Sequence, residues 1–270
     1  MSNEQDTSTR KASDVGTSWL WSVVLVIVGI VLLLDNFLLL GDFDALALLP
    51  LLLVIAGAQI LLQGDIIPGK ETGTFGITRG SVESATLEIS SADIDVEIGS
   101  LQREGRLIAG QYAPKSRPKL NVQGNYTHLV MKRAHTPWLS FANWRVGVAQ
   151  DLPWQFLIST SLGRVDIDLS ENITHDGFIA TGFGNISLIC PPESFGIIYL
   201  RSTLGNIHVV TPAGYNTRIV IDGGRMFTVK ADIYRYENPE PNVFLSTEVD
   251  SDAPLVEIHI GGTFGDAYLS

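Results

Sequence analysis

The feature that most constrains the fold is a 21-residue repeat marked by glycine. Three copies are visible, "STSLGRVDIDLS" (159–170), "ATGFGNISLIC" (180–190) and "RSTLGNIHVVT" (201–211). They place glycines at 163, 184 and 205, which are 21 residues apart. A fixed period of this length is typical of stacked repeats. The glycines fit corners where the backbone needs a positive φ, because glycine adopts such angles without steric cost.

Apolar residues occupy the same columns in every copy. These columns are Ile158, Ile179 and Leu200, then Val165, Ile186 and Ile207, then Ile167, Leu188 and Val209. The residue before each glycine is also apolar, as Leu162, Phe183 and Leu204. Within a copy the apolar residues alternate with polar ones, which indicates a strand with one buried face. A unit of 21 residues cannot bury that face alone, so the copies are expected to stack into one core.

Further copies extend the pattern beyond these three. They are 258–270, a weaker copy at 85–99, and 218–229 with altered spacing. The sequence therefore predicts an all-β domain over 81–270, a β-solenoid of stacked rungs of about 21 residues. A twisted β-sandwich is the competing interpretation, since it also has short strands at regular spacing. The single cysteine, Cys190, falls in an inward column and is expected to be a buried core thiol.

Two uncharged apolar segments precede this domain, at 19–34 and 45–62. With its flanks, each is near the length needed to cross a bilayer, so the sequence predicts a two-helix transmembrane hairpin over 19–62. No small-residue cleavage site separates the two segments, which argues against a signal peptide. Residues 1–18 are predicted to be a disordered tail, and 63–80 a linker rich in Gly and Thr.

The basic residues around the hairpin predict its orientation. Arg10 and Lys11 precede it, and Lys70 and Arg79 follow it, whereas the connector 35–44 contains only acidic charges. Because Lys and Arg accumulate on the cytoplasmic side, a multi-pass protein of the cell membrane with both termini in the cytoplasm is expected.

The segments "GIVLLLDNF", "GFGNISLICPP" and "STLGNIHVVTP" make the chain resemble a known family. The first is similar to the membrane region of LiaI/LiaF-type proteins, and the others resemble the toast-rack, adhesin-like β-solenoid domain that follows it. The resemblance covers most of 19–270. It implies a LiaF-like regulator of the bacterial envelope-stress response that acts on a membrane histidine kinase, and it implies no enzyme activity and no cofactor.

Two groups of polar residues contain the residue types of catalytic sites. Asp166 and Asp168 share one face of a strand, but the next rungs place other residue types in those columns, so a solvated face is the favoured interpretation. The column Asp166, Ser187 and His208 contains the residue types of a catalytic triad. In a triad the imidazole lies between the nucleophile and the acid, whereas here serine lies in the middle. The sequence thus predicts no catalytic, metal or cofactor site.

Charge is distributed unevenly in a chain whose net charge is −11. The stretch 101–150 contains eight basic side chains and one acid, and it interrupts the repeats. One interpretation is a solvated insertion whose charges balance the acidic body. The other is a surface that contacts anionic lipid, with aromatic anchors at the headgroup level. The residues proposed for that contact are Arg103, Arg106, Lys115, Arg117, Lys119, Lys132, Arg133, Trp138 and Trp144.

Two classes of function follow from these patterns. The first is a non-enzymatic membrane regulator that works by protein–protein contact, with a sensor kinase as one candidate partner. The second is a structural or adhesin-like module that binds envelope polymers or assembles with copies of itself. The overall acidity argues against nucleic acid as a partner. Membrane lipid is a partner in both cases through the two spanning helices.

Overall fold

The computed structural model describes residues 73–103, 105–112, 116–133 and 143–270. Those residues form an all-β structure, which confirms the predicted class for this part of the chain. The strands are β1 (Gly73–Thr78), β2 (Ser84–Asp93), β3 (Asp95–Ser100), β4 (Arg106–Tyr112), β5 (Lys119–Gln123), β6 (Tyr126–Arg133), β7 (Asn143–Val148), β8 (Trp154–Leu162), β9 (Val165–Asp168), β10 (Ile173–Phe183), β11 (Ile186–Ile189), β12 (Glu193–Ser194), β13 (Ile198–Leu204), β14 (Ile207–Val210), β15 (Asn216–Ala231), β16 (Tyr236–Glu240), β17 (Val243–Ser246) and β18 (Leu255–Leu269).

The repeat unit of the structure is a rung of two strand segments that meet at a corner. Segments of neighbouring rungs pair in parallel, and Ile186 lies beside Val165 of the rung before it and Ile207 of the rung after it. The 21-residue interval is therefore the rung-to-rung register. All three of these side chains are fully buried, as the alternating pattern predicts.

The order of the rungs in space differs from their order in the chain. Most rungs consist of two consecutive strands, written here as β6/β7. Parallel pairing places the rungs in the order β6/β7, β2/β3, β8/β9, β10/β11, β13/β14, β18 and β15. The last strand, β18, thus lies between two rungs that precede it in the chain. β15 and β18 each run through the corner and supply both segments of their rungs.

Antiparallel strands cover parts of both ends of the stack. At one end β5 pairs with β6, β4 pairs with β7, and β1 pairs with β4. At the other end β17 pairs with the first part of β15, and β16 pairs with β17. Covering strands of this kind reduce the number of exposed strand edges that could template aggregation.

The core lies between the two inner faces of the rungs. Its largest fully buried side chains include Trp144, Trp154 and Phe156. Burial of one Leu, Ile or Val side chain contributes roughly 1.5–3 kcal/mol, so the stacked columns dominate the stability. Cys190 is fully buried, and burial raises the pKa of its thiol to about 12. This confirms the expected core thiol.

The corners show why the repeat contains glycine. Gly163, Gly184 and Gly205 have φ of +145°, +153° and +150°. A Cβ on Gly184 would lie 1.9 Å from the carbonyl oxygen of Gly163 in the preceding rung. Both the backbone angle and the close approach of neighbouring rungs therefore require glycine.

Three predictions about organisation are affected. The predicted linker 63–80 is wrong over 73–78, where Phe75 and Ile77 alternate with exposed residues and form β1. The stretch 101–150 does not interrupt the stack, because β6 and β7 form a rung of it. The predicted tail and hairpin, 1–62, lie outside the described residues. Within the described ranges no helix has the length and apolarity needed to cross a membrane.

Candidate functional site

The residues proposed for lipid contact are placed at several locations. Lys115 and Trp138 lie outside the described residues. Arg103, Arg106, Arg117, Lys119 and Lys132 are exposed, and Arg133 is half-buried. The Lys132 Nζ lies 2.7 Å from a carboxylate oxygen of Glu88, and its hydrogen bond lowers the pKa of that carboxyl.

Trp144 does not belong to this surface, and its prediction as an interfacial anchor is wrong. Its side chain is fully buried, and its Nε1–H donates to the Ser116 hydroxyl at 3.2 Å. The residue occupies the inward column of β7, where it pairs with Val96. The alternation "NWRVGV" over 143–148 could have indicated this, because Trp144, Val146 and Val148 share one strand face.

Apart from Lys132, which is paired with Glu88, the exposed residues of this set fall into two groups on opposite sides of the stack. Arg106 lies at the end of β4 that pairs with Thr78, and Arg103 lies just before it. Gly73, where β1 begins, pairs with Tyr112 at the opposite end of β4. That end lies opposite Trp144, on the side of the stack where the strand segments meet at the corners, here called the corner side.

Arg117 and Lys119 form the second group. Lys119 pairs with Val130 and lies at the end of β5 away from its turn with β6, toward the corner side. The two residues therefore lie on the same side of the stack as the start of β1. Sequence alone does not separate these residues from Arg103 and Arg106, because the separation depends on strand pairing.

A wide cleft of about 1180 Å³ lies over the outer surface of the β3, β9 and β7 segments. Its charged lining residues are Arg103, Arg106, Arg145, Arg164, Glu97, Asp166 and Asp168. Arg145 and Arg164 form ion pairs with Glu97 and Asp166, at 2.8 and 2.7 Å. Burial raises the pKa of Asp166, an effect that Arg164 opposes. The cleft is thus of mixed charge and largely neutralised internally.

The column Asp166, Ser187 and His208 is in register on three adjacent rungs, in that order. The His208 ring stacks on Tyr268 with ring centroids 4.6 Å apart. Serine in the middle position leaves the imidazole on the far side of the nucleophile from the acid, which is not the arrangement of a triad. Over the described part of the chain, no group of three or more His, Cys, Asp or Glu residues could hold a metal ion.

A second groove of about 480 Å³, here called the aromatic groove, lies on the outer face of β10, β13, β18 and β15. Phe178, Tyr199 and His259 line it from adjacent rungs, and the Tyr199 and His259 rings meet edge to face at 5.3 Å. Arg201 and Asp222 flank Gly261 on the same face. Neither of these two charged side chains has a hydrogen-bond or ion-pair partner among the described residues. Aromatic rings beside one basic and one acidic side chain suit a ligand that has both apolar and polar parts.

A third feature, here called the corner ridge, is a file of exposed apolar side chains along the corner. Its members are in register from rung to rung. They are Leu162, Phe183, Leu204, Phe264 and Met226, with exposed fractions of 48, 56, 49, 44 and 66%. In the sequence the first three form an apolar column of the repeat, and the structure exposes that column.

Both the aromatic groove and the corner ridge were missed as surfaces at the sequence level, although a signal existed. Leu157, Phe178 and Tyr199 are 21 residues apart, like the corner glycines. A column that stays apolar on the outer face of a strand is informative, because that face is otherwise polar.

Comparison with known proteins shows a similarity in fold to a solved structure. No family model matches the chain, and no curated protein matches it in sequence. The structure of a candidate cell adhesion protein from Clostridium sporogenes matches 74% of this chain and 98% of its own, with 14% identity and a TM-score of 0.64. A candidate adhesin from Parabacteroides merdae matches 76% and 99%, with 7% identity and a TM-score of only 0.22. The first likeness defines the described part as an all-β domain of adhesin-like fold.

Proposed function

We propose that the chain is a non-enzymatic bacterial membrane protein whose toast-rack β-solenoid domain binds a partner through its exposed faces. The observation on which this rests most is the aromatic groove. Exposed rings on adjacent rungs, and two charged side chains without partners in the described part of the chain, are features of a binding surface. The core is fully supplied by the inward columns, so this outer apolar column is not needed to hold the rungs together.

One form of this proposal is an adhesin-like module that faces outward and binds envelope polymers or other copies of itself. The similarity in fold to a candidate cell adhesion protein supports this form. In this form the aromatic groove would hold the ligand, and the hairpin 19–62 would serve as the anchor.

The other form is a regulator of an envelope-stress response that contacts a sensor kinase from the cytoplasmic side. The resemblance of the chain to LiaF-like proteins and the positions of its basic residues support this form. The two forms differ in topology, because a cytoplasmic domain cannot reach the cell wall.

The topology is measured with Ser270→Cys and a membrane-impermeant maleimide. Ser270 is exposed, whereas Cys190 is fully buried, so the unchanged protein serves as the unlabelled control. Labelling only after permeabilisation is expected for the regulator, together with labelling of Asp42→Cys in intact cells. Labelling of Ser270→Cys in intact cells would contradict the regulator and favour the adhesin-like module.

A further inference from the structure

We propose that the corner ridge rests on the surface of the membrane that anchors the protein. The ridge consists of the five side chains Leu162, Phe183, Leu204, Phe264 and Met226. This inference rests on the membrane attachment in the proposed function and holds for either topology, because the domain faces its own leaflet in both.

The first argument is the apolar exposure of the ridge. Neighbouring rungs are about 4.8 Å apart, so five members in register form a straight file about 19 Å long. Each member is between 44 and 66% exposed. Leu and Phe side chains on one edge are the residue types that enter the headgroup region at interfacial surfaces, to a depth of roughly 5–10 Å.

The second argument is the electrostatic neutrality of the positions beside the ridge. After the corner glycines come Arg164, Asn185, Asn206 and Asp266. Arg164 is ion-paired with Asp166, and Asp266 with Lys230, both at 2.7 Å. The Asn206 N–H donates to the Asn185 side-chain oxygen at 2.9 Å, and the Asp266 N–H donates to the Asn206 side-chain oxygen at 3.0 Å. The four positions after the corner glycines thus bring no unpaired charge toward a lipid surface. Arg225, which precedes Met226, is exposed and basic, a charge that an anionic leaflet accommodates.

The third argument is the position at which the chain enters the domain. Only ten residues, 63–72, separate the predicted second span from β1, and they reach at most about 36 Å. β1 begins at Gly73 on the corner side of the stack, the side on which the ridge lies. The tether therefore holds this edge near the bilayer at high effective concentration, so that a weak contact suffices.

A second copy of the chain is a poorer occupant of the ridge. Five side chains that are each about half exposed supply at most on the order of 500 Å². A specific protein interface buries about 800 Å² on each partner. A lipid surface has no such threshold, since each inserted side chain contributes separately.

The test uses the full chain with Phe183→Cys, labelled with an environment-sensitive fluorophore. The protein is reconstituted into vesicles of phosphatidylethanolamine and phosphatidylglycerol, with and without nitroxide-labelled lipid. Tyr199→Cys is the matched control, because Tyr199 is 44% exposed but lies in the aromatic groove. Emission at position 183 should shift to shorter wavelength and be quenched by the nitroxide, whereas emission at 199 should do neither.

A second variant set guards against an effect of the label. With the label at Leu162→Cys, the changes Phe183→Ser and Leu204→Ser should reduce the quenching. Equal quenching at 183 and 199, or none at 183, would show that the ridge does not touch lipid. Shielding of the label that lipid nitroxide does not quench, and that disappears at one protein per vesicle, would assign the ridge to contact between copies. Flotation of the vesicles after an alkaline wash reports separately whether the hairpin anchors the chain.

Discussion

At the scale of single residues, Gly184 shows how strictly the corner restricts the side chain. Its φ of +153° is one that residues with a Cβ rarely adopt. Its amide N–H donates to the carbonyl oxygen of Leu204 at 3.0 Å, and its own carbonyl oxygen accepts from the Ser202 hydroxyl at 3.2 Å. Both partners belong to the following rung, so any shift of this corner disturbs that rung.

Gly184→Ala is expected to destabilise the domain by more than about 3 kcal/mol, because backbone strain and the contact with Gly163 act together. A fragment of residues 73–270 should show a fall in Tm of roughly 6–12 °C. Gly99→Ala is the control, since Gly99 has no atom within 4 Å of an added Cβ and should change stability by less than about 0.5 kcal/mol. Similar melting of the two variants would mean that the corners tolerate a side chain.

At the scale of elements, β1 is the strand whose role is least evident from its composition of Gly, Thr, Phe and Ile. It covers the edge of β4 with six residues. Phe75 and Ile77 pack against the core, and the Phe75 and Tyr112 ring centroids lie 6.2 Å apart. The domain therefore begins at or before residue 73, and the boundary at 81 predicted from the sequence removes one of its strands.

A fragment of residues 81–270 should be less stable than one of 73–270 by roughly 1–3 kcal/mol, because two half-buried apolar side chains are lost. It should also aggregate more readily, since the edge of β4 is then uncovered. Denaturant unfolding and light scattering measure the two effects. Phe75→Ala with Ile77→Ala should reproduce most of the loss, whereas Thr74→Ala with Thr78→Ala, on the exposed face, should not. No difference between the two fragments would contradict this role of β1.

The elements that the sequence predicts are those whose local pattern repeats without interruption. Ile158 and Val165 are seven residues apart, as are Ile179 and Ile186, so the inward columns and corners could be read directly. In the rung of β6 and β7 the corresponding residues, Met131 and Trp144, are thirteen apart, six more than in those two rungs. The longer separation concealed this rung and made Trp144 look like a surface residue.

The spatial order of the rungs could not be predicted for a different reason. Every rung presents the same alternation of apolar and polar residues, so local pattern does not distinguish one neighbour from another. The insertion of β18 between the β13/β14 rung and β15 depends on pairing between distant segments. The outer surfaces were not predicted because the buried columns show the repeat most clearly.

At the scale of the whole molecule, the exposed basic residues divide between two sides of the stack. Arg117 and Lys119 lie toward the corner side, and so does the corner ridge. Arg103 and Arg106 lie at the other end of β4. Lipid contact by the basic residues, which the sequence suggests for the whole set, is therefore proposed for Arg117 and Lys119 and not for Arg103 and Arg106.

Binding of the 73–270 fragment to vesicles with anionic lipid measures this difference by co-sedimentation. Each basic residue near such a surface contributes about 1 kcal/mol, so Arg117→Glu with Lys119→Glu should weaken binding at least about thirtyfold. Arg103→Glu with Arg106→Glu makes the same change in net charge and should have little effect. The difference should disappear at high salt, which screens exposed charges. Equal weakening by both pairs would mean that only net charge matters.

The position of β18 has a consequence for biosynthesis. A ribosome releases β15, β16 and β17 before β18, yet β15 pairs with β18 along most of its length. In the nascent chain, β15, β16 and β17 therefore cannot join the stack until β18 has been made. Until then the β13/β14 rung has an open parallel edge. Such intermediates are prone to aggregation and are triaged by chaperones and proteases. Synthesis that stalls before residue 255 yields a product without β18, the strand that joins the β13/β14 rung to β15. The exposed edge of the β13/β14 rung is then the feature by which chaperones and proteases can recognise the product.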